Sequence, residues 1–333
     1  MRDLRHLLNI LGHVLDISVV VAGDVILDEY LIGRATRLSR EAPVPVLAFE
    51  QRLLIPGGAG NPAVNLAALG IPVTQVGVVG PDEAGAALAA ALSARGVDTS
   101  GLVTVSGRAT AVKTRIMAHM GLRFPQQVAR IDRLEDAPMP VDASLALRQA
   151  LLTALGTAPV VVFSDYQGGT LSSALIEETS ATQALRVADA QGSFEKYVGF
   201  DAIKCNADEA AAFLGRSLSA HADFAEAARN LVDRLSIRRC MVITRGGDGA
   251  TVATPDSTAH VPAALTSEVY DTVGAGDTAV AMLALGLAAG ADAISAVQLA
   301  TIASGLVVRR VGNYAPSLDE LRQAIRDAAV GTH

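Results

Sequence analysis

The chain has 333 residues, a formal net charge of −7, 50% hydrophobic residues, 18% charged residues and no Trp. That is too apolar for a disordered chain and too acidic for a general nucleic-acid binder, which needs a basic surface to displace counterions. The longest nearly apolar stretch, Ala279 to Ala291, is shorter than the about 20 residues a transmembrane helix needs, so neither nucleic acid nor membrane is an expected partner.

The first 16 residues carry Arg2, Asp3, Arg5, His6, His13 and Asp16, which argues against a signal peptide. Ile17–Ala22 reads as a buried, β-branched strand ending at Gly23, with Asp24 and Asp28 just beyond it. Val44–Ile55 alternates and leads into Pro56-Gly57-Gly58, and 61–69 reads as a helix with Pro62 in its first turn. Val73–Val79 is a strand and 83–95 a helix. Ala111–Ala118 and Gln126–Asp132 alternate again, as antiparallel strands outside the main sheet. A flap of about four strands, from about 33–56 and 110–133, accounts for these segments and serves as a lid or a dimer contact. Next come the helix 142–155, the strand Pro159–Phe163 with Asp165 after it, the helix 171–182 and the strand Leu185–Ala188. A strand ending at Asn206, the helix 221–235 and the strand Cys240–Thr244 follow, and three helices, 275–289, 292–310 and 317–329, close the chain. This β–α–β rhythm of near-continuous apolar strands predicts an α/β fold, a mainly parallel sheet covered on both faces. Cys205 and Cys240 offer no disulfide framework, and a soluble cytoplasmic protein is expected.

Five motifs carry chemistry. Asp271-Thr272-Val273-Gly274-Ala275-Gly276-Asp277-Thr278 precedes a long apolar helix. Its glycines let backbone approach a ligand, and the helix N-terminus supplies free N–H groups and partial positive charge. Gly274, Ala275 and Gly276 are thus a candidate anion hole. Asp277 is either a carboxylate that merely suits the helix dipole or a base beside that hole. Phosphoryl transfer needs such a pairing, a carboxylate for the hydroxyl proton and N–H groups for the phosphate charge.

Asn206-Ala207-Asp208-Glu209 fits a capping box or a pair that orients phosphate-bound Mg²⁺, usually through water. Thr244-Arg245-Gly246-Gly247-Asp248-Gly249 is either a Gly-rich turn or a nucleotide-lining loop at the strand ends where open α/β sheets bind ligands. Gly57-Gly58-Ala59-Gly60-Asn61-Pro62 is a flexible helix entry, or a place where Asn61 bonds ligand hydroxyls. Asp24 and Asp28 could hold sugar hydroxyls, and Asp165 adds another acid at the same sheet edge. There is no GK dipeptide for a Walker A loop, no GxGxxG after the first strand for a dinucleotide, and no HExxH or GxSxG.

The order and spacing of these motifs, from about Ile17 to Leu321, resemble the ribokinase-like (PfkB) family of sugar kinases. The resemblance implies a three-layer α/β/α sandwich with a small β-sheet lid. It implies one kinase domain over 1–333, without the nucleotidyltransferase domain fused in some members. The segment Thr36–Val46, the compact Gly57–Asn61 spacing, Arg130-Ile131-Asp132 and Ser164-Asp165-Tyr166 look most like bacterial D-glycero-β-D-manno-heptose-7-phosphate kinases.

By position, the resemblance implies that Asp277 is the base and that Gly274, Ala275 and Gly276 form the anion hole. Asn206 and Glu209 would serve phosphate and Mg²⁺, and Thr244, Gly246 and Gly249 would line ATP. Asp28, Gly57, Gly58, Asn61 and Asp165 would hold the sugar, with Lys113 and Arg115 reaching in from the lid. Asp271 and the Val273 carbonyl, with the region near Gly312 and Ser317, resemble a monovalent-cation loop for K⁺. A homodimer through the lid is implied as well. Two departures concern the acceptor. Heptose-phosphate kinases read Asp-Tyr-Ala-Lys-Gly where this chain has Asp165-Tyr166-Gln167-Gly168-Gly169, and Asp-Pro-Lys-Gly where it has Asp189-Ala190-Gln191-Gly192. A kinase for another, unphosphorylated sugar or a nucleoside therefore stays open, as does a non-catalytic sugar- or nucleotide-binding regulator. The lid turn Met117–Pro125 is also less polar than such a turn would be.

Overall fold

The computed structural model describes residues 6–121, 125–135, 137–156, 158–264, 271–310 and 312–330. The chain opens with helix His6–Gly12 (α1), strands Val19–Gly23 (β1), Val25–Leu38 (β2) and Pro45–Gly58 (β3), and helix Gly60–Ala68 (α2). Strand Val73–Val79 (β4), helix Glu83–Ser93 (α3), strands Asp98–Thr104 (β5), Val112–His119 (β6) and Gln126–Arg133 (β7), and helix Val141–Leu155 (α4) follow. Then come Val160–Asp165 (β8), Ser173–Glu177 (α5), Leu185–Ala190 (β9), Ala202–Asn206 (β10), Ala207–Leu214 (α6) and His221–Leu235 (α7). Cys240–Thr244 (β11), Ala250–Ala253 (β12), Thr258–Val261 (β13), Ala275–Ala288 (α8), Ala293–Val307 (α9) and Leu318–Val330 (α10) complete the order.

Nine strands form one sheet in the order β13-β12-β11-β10-β9-β8-β1-β4-β5. Pairing is parallel from β11 through β5, and β12 and β13 add an antiparallel edge. The period-2 pleat of β1 explains the three layers: Val19 and Val21 enter one core, Val20 and Ala22 the other. α2, α3, α8 and α9 cover the first face, and α4, α5 and α7 the second. Parallel strands buried on both sides read as continuous apolar runs, which is why their positions are visible in the sequence.

The second sheet has the order β3-β2-β6-β7 and departs from expectation in two ways. It begins at Val25, not near 33, because β2 runs on from the end of β1; Asp28, Glu29 and Arg34 break its apolar pattern. The β2–β6 pair is parallel, although β2–β3 and β6–β7 are antiparallel. The expected helix 171–182 shrinks to α5, whose Ser172 cap accepts from Leu175 N–H. Leu122, Arg123 and Phe124 of the lid turn lie outside the described residues. Among the described residues no helix is long and apolar enough to cross a membrane.

Candidate active site

The C-terminal ends of β1, β8, β9, β10 and β11 carry Gly23, Asp165, Ala190, Asn206 and Thr244, and α8 starts against the same edge. Gly274 precedes α8 with φ +82, a conformation that favours glycine. A Cβ there would lie 2.7 Å from Asn61 Nδ2. Asp277, in the first turn, is only 8% exposed. Its Oδ2 accepts from Asn61 Nδ2 at 2.8 Å and its Oδ1 from the Tyr166 hydroxyl at 2.7 Å. Burial, then the charge of Asp189, push the Asp277 carboxyl up to about 6, while the two donors and Lys204 pull it down. A buried carboxylate that is ionised near neutrality is poised to take a proton.

The donors are themselves fixed. Asn65 Nδ2 donates to Asn61 Oδ1 at 3.1 Å, so the Asn61 amide turns its Nδ2 toward Asp277. The Thr278 hydroxyl donates to Asn65 Oδ1 at 2.9 Å, which ties α2 to α8. Burial, then the Asp277 carboxylate, hold the Tyr166 phenol well above its usual range, so it stays a donor. Asp24 holds the following loop by accepting from the N–H groups of Tyr166, Gly168 and Thr170.

On the acceptor side, Asp28 accepts from Arg115 at 2.5 Å and from Asn313 Nδ2 at 2.8 Å. A Cβ on Gly57 would come within 2.3 Å of Asp28 Oδ2, so glycine makes room for this carboxylate. Gly58 has φ +53 as β3 turns into α2. Lys113 stands over the Tyr166 ring, 5.0 Å from its centroid. Asp165 is placed differently. It is 1% exposed, accepts from Tyr197, Lys196 and the Gln167 N–H, and lines neither the cavity beside Asp277 nor the one beside Asp24.

The larger cavity, about 910 Å³, runs from Asp277 past Gly274, Ala275 and Gly276 to Thr244, Gly246 and Gly249. Asn206 and Glu209 line it too, and they also complete a capping box on α6: Asn206 Oδ1 accepts from Glu209 N–H, and Glu209 Oε2 from Asn206 N–H. Burial first raises the Glu209 carboxyl. Its Oε1 takes no hydrogen bond among the described residues, which suits a water-mediated hold on a nucleotide-borne cation. Gly249 must be glycine for packing, since a Cβ would lie 2.1 Å from the Val261 carbonyl oxygen. Asp271 accepts from the N–H groups of Val273 and Gly312 and so ties the two expected cation-loop segments together.

Sequence reasoning missed Lys204. Its ammonium sits between both Asp189 oxygens at 2.8 and 2.9 Å, and 3.0 Å from where a Cβ on Gly276 would lie. Burial works against its charge, but Asp189 outweighs burial and pushes the lysine up. A lysine inside the apolar run Ala202–Cys205 is the signal that could have found it. Asn65 and Asn313 were missed for lack of any local signal.

Residues 16–320 match the sequence profile described as pfkB family carbohydrate kinase. The protein named bifunctional protein HldE from Acidiphilium cryptum (strain JF-5) is 37% identical over 317 residues, which are 94% of this chain and 64% of that protein. The bifunctional protein HldE of Azotobacter vinelandii (strain DJ / ATCC BAA-1303) is 40% identical over 312 residues, 92% of this chain and 63% of its own length. The chain thus spans less than two thirds of these relatives. Among solved structures, Escherichia coli phosphofructokinase-2 in complex with substrates and products superimposes with TM-score 0.76 at 20% identity, covering 94% of this chain and 99% of that one. Arabidopsis thaliana ribokinase complexed with ribose and ATP gives 0.72 at 17% identity, covering 93% and 98%. These two establish the fold as ribokinase-like.

Proposed function

Because the chain belongs to the pfkB family of carbohydrate kinases, we propose that it moves the γ-phosphoryl group of ATP to the anomeric hydroxyl of a heptose 7-phosphate. The observation that carries this reading is Asp277, buried at the start of α8 between two fixed donors, with a carboxyl near 6. It takes the proton of the attacking hydroxyl. The N–H groups of Gly274–Gly276, with the Lys204 ammonium beside them, oppose the charge that develops on the phosphoryl oxygens. Thr244, Gly246 and Gly249 line the nucleotide. Asp28, Gly57, Gly58, Asn61, Lys113 and Arg115 surround the acceptor, whereas the bonds of Asp165 give it a supporting role behind Tyr166 and Lys196. Kinases of this fold use ATP and Mg²⁺. Glu209 and Asn206 would hold Mg²⁺, which neutralises phosphate charge when bound; Asp271 and the Val273 carbonyl would sit at a K⁺ site.

The finer substrate assignment rests on the resemblance to the relatives named HldE and on the heptose-kinase-like segments of this chain. A second reading, an unphosphorylated sugar, is favoured by Gly168 and Gln191 standing where heptose-phosphate kinases carry lysines. We also read the exposed face of the second sheet, with Phe49 70% and Ile131 60% exposed, as a homodimer contact. A kinase domain over residues 1–333, acting in the cytoplasm, completes the reading. The decisive test is ADP release with ATP, Mg²⁺ and K⁺ on heptose 7-phosphate and on the same heptose without its phosphate. Turnover of the phosphorylated sugar is expected. No ADP above the sugar-free rate from either sugar overturns the heptose-kinase reading.

A further inference from the structure

Asn313 stands where the two halves of the site meet. Its Nδ2 donates to Asp28 Oδ2 at 2.8 Å and to the Pro56 carbonyl at 3.3 Å, both on the acceptor side. Its Oδ1 turns the other way, to 3.3 Å from where a Cβ on Gly274 would lie. The amide cannot be reversed, because Oδ1 would then meet a carboxylate and a carbonyl with no proton between them. The backbone is fixed as well. The Gly312 N–H donates to Asp271 at 2.9 Å, and Asp271 also accepts from the Val273 N–H. Asn313 is thereby stitched to the turn that begins α8.

This placement carries a cost. Asn313 Oδ1 is buried and has no hydrogen-bond partner. A buried oxygen without a donor destabilises a fold, and an apolar side chain of similar size would avoid that. The amide is useful only at Nδ2, whose charged partner is Asp28.

Asp28 is 4% exposed and is held from two sides. Arg115 reaches Oδ1 from β6 at 2.5 Å, and Asn313 reaches Oδ2 from the segment between α9 and α10. Two other charges stand in register across the second sheet: Lys113 opposite Asp28, and Asp132 opposite Lys113. The Asp271 charge also acts on Arg115. Arginine alone would let the carboxylate pivot about one oxygen. A second donor on the other oxygen fixes its plane and still leaves one lone pair on each oxygen for a ligand hydroxyl.

Building on the kinase reading, we propose that Asn313 is a positioning residue: it sets the plane of the Asp28 carboxylate and registers it against the Gly274 turn. Acceptor hydroxyls bound by Asp28 are then fixed relative to the anion hole. Asn313 acts through Asp28 and not on the sugar itself.

The test compares wild type, Asn313→Leu and Asn313→Asp by KM for the acceptor, KM for ATP and urea stability. The acceptors are heptose 7-phosphate and the same heptose without its phosphate. Leucine removes the donor and the unpaired oxygen together. Aspartate keeps the shape and sets a second carboxylate against Asp28; if the leucine variant does not fold, the aspartate variant carries the test. Acceptor KM should rise about 10-fold in Asn313→Leu, the lower end for a lost hydrogen bond to a charged group. It should rise further in Asn313→Asp, where like charges repel. KM for ATP should not follow. Calorimetric titration of the sugar without nucleotide should show the same loss of affinity. A merely structural asparagine would lower the urea midpoint and leave the acceptor KM of the folded variants unchanged. That result, or equal rises in KM for ATP and for the acceptor, overturns the positioning role and leaves the kinase standing. ADP release by the wild type from neither sugar overturns the heptose-kinase reading and the positioning role with it.

Discussion

Asp277→Asn should make the protein a much poorer catalyst and a more stable fold. The substitution keeps shape and hydrogen bonding: the Asn oxygen can accept from Asn61 Nδ2, and its amide can donate to the Tyr166 hydroxyl. What is lost is a proton acceptor, and a general base is worth about 10²- to 10⁴-fold in rate. What is gained follows from the raised carboxyl. Its value of about 6 in the fold, against 3.8 for an ordinary aspartate, means that the folded state binds the proton more tightly than the unfolded chain. The ionised carboxylate therefore destabilises the fold. At about 1.4 kcal/mol per pH unit, that destabilisation reaches about 3 kcal/mol. It is fully present above about pH 6, declines as pH falls toward 3.8 and vanishes below that value. Urea unfolding of both proteins at pH 8, 6 and 4.5, beside ADP-release kcat at pH 8, tests both halves. The variant's stability gain should be largest at pH 8 and mostly gone at pH 4.5. A kcat close to wild type refutes the base assignment, and a gain independent of pH refutes the account of the buried charge.

Tyr166→Phe removes the 2.7 Å donor to Asp277 and should raise the carboxyl further, by about one pH unit for a hydrogen bond to a charged group. The acidic limb of the kcat/KM profile, which reports the free enzyme, should then move upward from near 6, and a limb that stays in place would show that another group titrates there. Asp165→Asn weakens the acceptor for the Lys196 ammonium and the Tyr197 hydroxyl, so it should cost about 1–3 kcal/mol of stability with little change in acceptor KM. A raised KM at unchanged stability would return Asp165 to the sugar site.

The sequence shows the main sheet well because its parallel strands are apolar on both faces. Val73–Val79 and Cys240–Thr244 lie where their composition places them. β2 was hidden because only part of it is covered, and polar residues punctuate it. The same contrast holds in the site. Gly274, Gly276 and Asp277 are legible because a glycine turn before an apolar helix is a local pattern. The bonds that make Asp277 a candidate base are not local: Asn61 and Tyr166 are 216 and 111 residues away in the chain. Asp165 shows the converse. A carboxylate at a strand end looks available in the sequence, yet the fold surrounds it with Tyr197, Lys196 and the Gln167 N–H.

The charge balance around Asp277 limits how the site can work. Asp189 already raises the carboxyl, and phosphate oxygens arriving beside it would raise it again, toward a protonated form that cannot act as a base. A compensating positive charge must stand close to the incoming phosphoryl group. Lys204 meets that requirement, since its ammonium lies next to Gly276 and is held there by both oxygens of Asp189. The pair then acts in two directions. Asp189 keeps the lysine charged in a buried place, and the lysine offsets the carboxylate that anchors it. An alanine at 276 would push its Cβ against that ammonium, so the second glycine of the turn preserves the approach of Lys204 as well as the approach of a ligand to the backbone. The glycine turn, the candidate base and the buried ion pair are therefore one electrostatic unit, assembled where β9, β10 and α8 converge.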